Sequence, residues 1–326
     1  MAANPASPVT TGPVLEQYHI YHAEANLLKG HLEHPIKQPL EDYGRVLLEN
    51  TRRESLVTQS VGETSVEGLI SFKSGHTRVI GSQIKSKTDI FGNDHAGWVT
   101  LSSSVVEGLN VVDVVTADRV VAQVSTEHPM VNGHVPKVTF LGTSFKNLRV
   151  GGYPVEVELD LGICGKKPEG DLSYLEDGGF LDRVERQYDS IASTKGLPET
   201  MEKQYDAKIA YIDDLKKRAS GRAKGERNGY SKLQCSLVKS IGPIPIPGVK
   251  TFGNIIFIPN FGTVALAEIE VGIGPCHSDL PHEIGSSPER SDSNYFTLNM
   301  LDMRLGCPVA GSLVVPSVGS NGNTIP

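Results

Sequence analysis

The sequence lacks long hydrophobic runs, has few aromatic residues and shows no excess of basic charge. No segment approaches the roughly 18 consecutive apolar residues of a membrane helix. Aromatic residues make up 6% of the chain, and 31 basic residues stand against 38 acidic ones, for a net charge of −7. A nucleic-acid binder normally shows a basic field and aromatic rings for base stacking. We therefore expect neither a membrane span nor a nucleic-acid partner.

The chain also lacks a cysteine framework and a standard export signal. The four cysteines are far apart in sequence, and no two have the C-x2-C spacing of a zinc site, so reduced thiols are expected. Residues 1–11 contain no basic region followed by an apolar run, as a secretory signal would. These features predict a cytoplasmic protein, or one exported by a route that uses no standard signal.

Familiar catalytic motifs are missing as well. The sequence contains neither the G-x-S-x-G turn of serine hydrolases nor the phosphate-binding G-x-x-x-x-G-K-[ST] loop. Gly272 and Gly274 follow a predicted strand, but Pro275 interrupts a dinucleotide-binding pattern. The sequence thus favours a protein without catalytic activity.

What the sequence has instead is a β-pattern over most of its length. Segment 18–28 alternates in polarity, 64–161 is dense in valine and threonine with glycine at regular intervals, and 155–161 alternates most regularly. Segment 111–124 is apolar on both faces and predicts one long central strand. Further strands are expected at 232–240, 254–258, 262–271, 295–305 and 311–316, with a long loop over 272–294.

One region has helical periodicity. Apolar residues fall on one helical stripe at positions 180, 184, 188 and 191, and on a second at 201, 205, 209, 212 and 215. Pro198 suits the first turn of the second helix, and Gly221 is a plausible end. The pattern predicts an antiparallel helical hairpin.

Together these patterns predict a mainly β fold, an antiparallel β-sandwich with an inserted α-helical hairpin. The expected organisation is an extended N-terminal arm at 1–17, a first β-sandwich segment at 18–170, the helical insertion at 171–230, a second β-sandwich segment at 231–318 and a C-terminal tail at 319–326. Because three prolines remove strand hydrogen-bond donors, segment 241–248 is expected to be a connector or an edge.

The only tryptophan marks a candidate ligand site. Trp98 closes the loop FGNDHAGW, in which Asp94 and His95 are its polar neighbours. An exposed indole often anchors recognition, so these three residues are candidate ligand contacts. A buried indole that fills the core is the alternative.

Metal ligands occur in a second loop. Cys276, His277 and His282 offer sulfur and nitrogen donors that zinc accepts, although a structural zinc needs four ligands. The alternative is a polar loop that happens to hold two histidines. A calcium ion on the acidic row 156–160 would lack the usual loop spacing. No cofactor is expected, with zinc and calcium as the weaker alternatives.

A basic stretch at 215–227 is a candidate contact for an anionic partner. Its contact residues would be Lys216, Lys217, Arg218, Arg222 and Lys224. The alternative is a helix C-terminus, where cations interact favourably with the helix dipole, followed by a loop.

Several segments resemble one known family. They are IPNFG at 258–262, LGCP at 305–308 and GGYPV at 151–155, within stretches 64–161 and 231–322. These stretches are similar to the β-rich bacterial proteins of the choice-of-anchor P family. The resemblance implies a cell-surface or extracellular location and supplies no catalytic residues. This chain departs from that family because it has no evident signal peptide or sorting tail.

Two functional hypotheses follow from the sequence. The first is a structural or interaction protein that self-associates, or binds a protein partner, through its extended arms and loops. The second is a module for a small ligand, a carbohydrate or a metal, possibly a hydrolase, with its site in the sandwich loops.

Overall fold

The chain forms two antiparallel sheets that pack face to face, with an inserted pair of helices. The computed structural model describes residues 18–35, 37–40, 43–85, 96–130, 135–170, 172–221, 231–275, 292–306 and 309–325. This architecture confirms the predicted β-sandwich with a helical insertion. The predicted N-terminal arm at 1–17 lies outside the described residues.

In chain order, the strands are β1 (Tyr18–Asn26), β2 (Lys29–His34), β3 (Gln38–Pro39), β4 (Val46–Thr51), β5 (Ser55–Val61), β6 (Thr64–Val66), β7 (Ile70–Phe72), β8 (Ser74–Ile84), β9 (Gly97–Val111), β10 (Val115–Pro129), β11 (Lys137–Thr139), β12 (Ser144–Lys146), β13 (Arg149–Val150), β14 (Tyr153–Pro154), β15 (Val157–Leu159), β16 (Ser231–Ser236), β17 (Val238–Ile241), β18 (Lys250–Phe252), β19 (Ile255–Ile258), β20 (Gly262–Pro275), β21 (Asp292–Leu305), β22 (Ala310–Ser320) and β23 (Asn323–Ile325). The helices are α1 (Gly178–Ala192) and α2 (Glu199–Ser220), preceded by a 3-10 turn at Tyr174–Glu176.

The two sheets draw on different stretches of the chain. The first sheet has the order β18-β19-β20-β21-β22-β1-β23, with β16 beside β20, β2 beside β22, β3 beside β2 and β4 beside β1. The second sheet contains β5 to β14, with β9 and β10 as its long central hairpin and β5 paired to β8. Strands β15 and β17 form a separate pair. The N-terminal strands β1 to β4 therefore belong with the C-terminal strands, and residues 55–154 supply the second sheet.

The expectation of one continuous strand over 111–124 is wrong. The chain turns at Val112 and Asp113, which both have positive φ, and Val111 of β9 then pairs with Val115 of β10. The side chains of Asn110 and Asp113 hold this turn, since Asn110 Nδ2 donates to Asp113 Oδ1 at 2.6 Å and Asp113 N donates to Asn110 Oδ1 at 2.9 Å. Such local side-chain bonds offset the strain of left-handed backbone.

The segment predicted as a C-terminal tail, 319–326, belongs largely to strands β22 and β23 instead. Strand β22 continues to Ser320, and β23 pairs with β1, so that Tyr18 lies opposite Ile325. Ser320 and Thr324 are buried there, which removes this segment from solvent. Similarly, β20 and β21 extend into both ends of the loop expected at 272–294.

Small hydroxyl side chains join the two sheets across their interface. Ser102 Oγ and Ser104 Oγ on β9 donate to backbone carbonyls of the first sheet, those of Gly319 (2.9 Å) and Asn26 (2.8 Å). Thr126 Oγ1 on β10 lies 2.7 Å from Ser320 Oγ. Because all these groups are buried, their mutual hydrogen bonds avoid the cost of unsatisfied polar atoms. They also fix how the sheets are positioned on each other.

The helical hairpin packs against β16 of the first sheet. Asp177 caps α1 by accepting from the backbone of Gly179 and Phe180, and α2 ends at Gly221, as predicted. The apolar stripe of α1, including Phe180 and Tyr188, is buried. No helix in the described residues is long and apolar enough to cross a membrane.

Candidate functional site

Trp98 lies in the core rather than in an exposed loop. Its side chain is 5% exposed, and the indole stacks on His19 of β1 with ring centroids 5.5 Å apart and planes 12° apart. His128 of β10 packs against the same imidazole at 4.5 Å. Its predicted neighbours Asp94 and His95 lie outside the described residues. Trp98 is therefore a buried indole that fills the core, which was the alternative to a ligand contact.

The imidazole of His19 is enclosed within this aromatic cluster. His19 Nδ1 lies 3.2 Å from Thr324 Oγ1, and the backbone at Gly322 closes over the other side of the ring. A Cβ at Gly322 would stand only 2.7 Å from His19 Nε2. Burial lowers the pKa of His19 to about 3, so the ring is neutral at physiological pH.

The buried imidazole makes stability depend on pH. Below the ordinary histidine pKa of 6.5, the unfolded chain binds a proton at His19 that the folded chain rejects until about pH 3. The free energy of unfolding therefore falls as the pH drops below 6.5, by about 1.4 kcal/mol per pH unit from this group. We expect roughly 3 kcal/mol to be lost from this source at pH 4.5. Urea titrations at pH 7.5, 6.0, 5.0 and 4.5 measure the slope.

Two variants separate this effect from general destabilisation. His19→Phe keeps a ring against Trp98 but removes the titrating group, so its stability should depend on pH less steeply than that of the wild type. Trp98→Phe weakens the same cluster and leaves His19 in place. It should lower stability at every pH with the slope unchanged. Equal slopes for the wild type and His19→Phe would contradict the assignment.

The basic end of α2 is largely neutralised. Lys216 Nζ lies 2.6 Å from Asp182 and 2.5 Å from Glu185 on α1, and Arg218 lies 2.5 Å from Asp214. The Lys216 pairs join α2 to α1, whereas the Arg218–Asp214 pair lies within α2, and both match the helix-terminus alternative. Of the other predicted contacts for an anionic partner, Lys217 is exposed, and Arg222 and Lys224 lie outside the described residues.

The described residues do not include the predicted zinc site. Cys276, His277 and His282 fall outside them, and the described stretches of the chain hold no group of three histidine, cysteine or carboxylate side chains suited to one ion. On the acidic row 156–160, Glu158 pairs with Lys239 at 2.6 Å, and this contact lowers the pKa of Glu158. That carboxylate is therefore already engaged.

An open strand edge, which the sequence analysis missed, is the most distinctive surface. Strand β5 hydrogen-bonds β8 along its whole length, and no other strand of the described residues pairs with it. Its seven residues, SLVTQSV, contain no charged residue and no proline, and Leu56 on it is 59% exposed. Charges and prolines are the usual means by which proteins prevent edges from pairing. Strand β5 thus presents unpaired backbone groups without this protection.

Other edges in the described structure are covered, charged or short. Gln187 of α1 covers β16: it accepts from Ser236 N at 2.9 Å and donates to Ser236 O at 3.0 Å, as a neighbouring strand would. Tyr188 donates its hydroxyl to Gln234 O on the same strand. Strand β4 carries Glu49, and β6, β14, β18 and β23 have three residues or fewer.

Comparison with known families gives one match. A family model described as a domain of unknown function, DUF8256, matches residues 19–272. The chain belongs to this family. The DUF8256 match runs from β1 into β20 and includes β5 and the helical hairpin, so these are within the family's region. Neither the curated proteins nor the solved structures contain a match to this chain.

Proposed function

We propose that this protein is a non-enzymatic interaction protein that self-associates by pairing strand β5 of two copies. The observation that carries the proposal is the uncharged, proline-free edge Ser55–Val61 with its exposed Leu56. Addition of a strand to such an edge satisfies the open backbone groups of both partners. A continuous sheet would then run through both second sheets.

The sequence of the edge fits a second copy of itself. If two β5 strands pair antiparallel about Thr58, Leu56 lies opposite Ser60, and Val57 lies opposite Gln59. No like charges meet within the strand. The same register sets Arg53 of each copy opposite Glu63 of the other, and both side chains are exposed. A two-fold axis through Thr58 therefore produces two complementary charge pairs at the ends of the interface.

Sedimentation velocity on the full chain tests this proposal. We expect the wild type to shift with concentration from 35.1 kDa to twice that mass between about 1 and 200 μM, the range typical of weak pairs. Thr58→Lys sets two ammonium groups against each other on the axis and should weaken association at least tenfold. Ser144→Lys, an exposed control on β12, should associate as the wild type does.

A charge exchange tests the register. Arg53→Glu alone opposes two carboxylates at each end and should weaken association several-fold. The double variant Arg53→Glu with Glu63→Arg should restore it. A monomer at every concentration would overturn the proposal, and unchanged association of Thr58→Lys would overturn the use of β5.

A further inference from the structure

A row of polar side chains crosses three strands on the outer face of the first sheet. His31 of β2 pairs in register with Ser312 of β22, and Ser312 pairs with Arg304 of β21. Directly paired residues point to the same side of a sheet, so the three side chains are neighbours. Leu313, which follows Ser312, is fully buried, so the row lies on the opposite side, which faces solvent.

Hydrogen bonds connect an acid, a base and a hydroxyl group at one end of this row. His31 Nε2 lies 3.2 Å from Glu33 Oε1, and Ser312 Oγ lies 3.4 Å from His31 Nδ1. Because an ionised carboxylate can only accept, Nε2 carries the ring proton. In the neutral ring, Nδ1 then accepts from the Ser312 hydroxyl. A carboxylate that orients an imidazole, which in turn takes the proton of a serine, is the arrangement that activates a serine nucleophile.

The backbone around this pair is unusual on both strands. Gly30 precedes His31 with φ +136°, and Gly311 precedes Ser312 with φ +153°. A Cβ on Gly30 would stand 2.1 Å from Ser312 O, and one on Gly311 would stand 2.4 Å from His31 O. Glycine permits this close approach of the two backbones. Because backbone strain is concentrated at functional sites in native proteins, its presence on both strands favours a role beyond sheet pairing.

The row is open to small molecules and has a cation at its other end. The side chains of His31 and Glu33 are 52% and 63% exposed, and Arg304 is exposed as well. The Arg304 guanidinium also attracts the carboxylate of Asp302, two residues earlier on β21. A guanidinium carries five N–H donors, so this attraction leaves donors for a further anion. A small molecule with an anionic leaving group thus meets a nucleophile and a cation on neighbouring strands, with Cβ atoms about 5 Å apart.

We propose that Ser312 is a modification site that accepts an acyl group from a small acyl phosphate. Ser312 Oγ attacks the carbonyl carbon while its proton passes to His31 Nδ1. The carbon–oxygen bond to the phosphate then breaks, and the phosphate leaves with the electron pair and takes up the proton from His31. The products are a serine ester and inorganic phosphate. Arg304 pairs with the phosphate group, and Glu33 orients the imidazole. This modification is independent of strand pairing, since β22 and β5 belong to different sheets.

Acetyl phosphate, with peptide mapping by mass spectrometry, tests the proposal on the full chain. Ser60 is the matched internal control: its Oγ lies 3.0 Å from His76 Nδ1, but no carboxylate of the described residues pairs with that ring. The measurement is made in Thr58→Lys, which keeps β5 unpaired and Ser60 accessible. We expect Ser312 to be acetylated at least tenfold faster than Ser60, through an ester that hydroxylamine removes. His31→Gln should slow this reaction at least tenfold.

Two further variants separate binding of the donor from orientation of the base. Arg304→Gln should raise the acetyl phosphate concentration for half-maximal rate at least tenfold. With p-nitrophenyl acetate, which has no phosphate, its rate should stay within twofold of the starting protein. Glu33→Gln should lower the maximal rate with both donors and leave half-saturation unchanged. All these side chains are exposed, so the urea midpoint should not move.

Three results would overturn the proposal. They are equal acetylation of Ser312 and Ser60, a Ser312 rate that His31→Gln leaves unchanged, and sustained hydrolysis of acetyl phosphate that depends on Ser312. The last result would show a hydrolase instead of a modification site.

Discussion

Gly262→Ala is expected to lower the free energy of unfolding by about 3 to 5 kcal/mol, the combined cost of overpacking and backbone strain. Gly262 begins β20 with φ +127°, a conformation that L-residues rarely adopt. An added Cβ would stand 2.0 Å from the carbonyl oxygen of Arg304 and 3.1 Å from Gly306 N. Both are backbone atoms at the end of the neighbouring strand β21, and backbone atoms cannot rotate away as a side chain would. Urea unfolding followed by circular dichroism measures the loss.

Two other glycines divide this cost into its components. Gly152 has φ +83° with no atom within 4 Å of an added Cβ, so Gly152→Ala carries the backbone strain alone, about 1 kcal/mol. Gly62 has neither the unusual φ nor a close neighbour, and Gly62→Ala should be nearly neutral. If Gly262→Ala cost no more than Gly152→Ala, the close approach of β20 and β21 at this point would be refuted.

Phe296→Ala is expected to destabilise the fold by a similar amount, about 3 to 5 kcal/mol, because it opens a cavity in the core. Phe296 is fully buried on β21 and meets the ring of Tyr174 edge to face at 5.3 Å. Tyr174 meets Phe180 of α1 in the same way at 5.8 Å. The three rings therefore connect the first sheet to the helical hairpin, and the substitution should loosen both.

A conservative variant and two spectroscopic probes make this result specific. Phe296→Leu keeps most of the volume and should cost less than about 1.5 kcal/mol. In the wild type, far-ultraviolet signals from helix and sheet should disappear in one transition, because both depend on the shared rings. A hairpin that melts separately in the wild type would contradict the connection through Tyr174.

Local patterns predicted most elements, because their causes are local. The stripes from Phe180 and Met201 gave both helices, and Gly221 gave the end of the second. The turn at Val112 escaped prediction, because a β-branched residue with positive φ runs against propensity. The signal that was available is the spacing of Asn110 and Asp113, whose side chains hold that turn.

The candidate sites depended on distant pairings and were harder to predict. His19 and Trp98 meet only because β1 and β9 belong to sheets that pack together, and no local pattern specifies that contact. Strand β5 fell in a region of mixed pattern, where its open edge could not be distinguished from a paired one.

The pairing of β1 with β22 and β23 imposes an order on biosynthesis. His19 and Thr324, which touch in the finished protein, lie 305 positions apart in the chain. At a translation speed of about 5 to 20 residues per second, roughly 15 to 60 s pass between the appearance of one and the other. All strands of the second sheet are made within that interval. Strand β1 can pair early with β4, but β22 and β23 become available to it only at the end of synthesis. The half of the sandwich that starts first is thus the half that closes last.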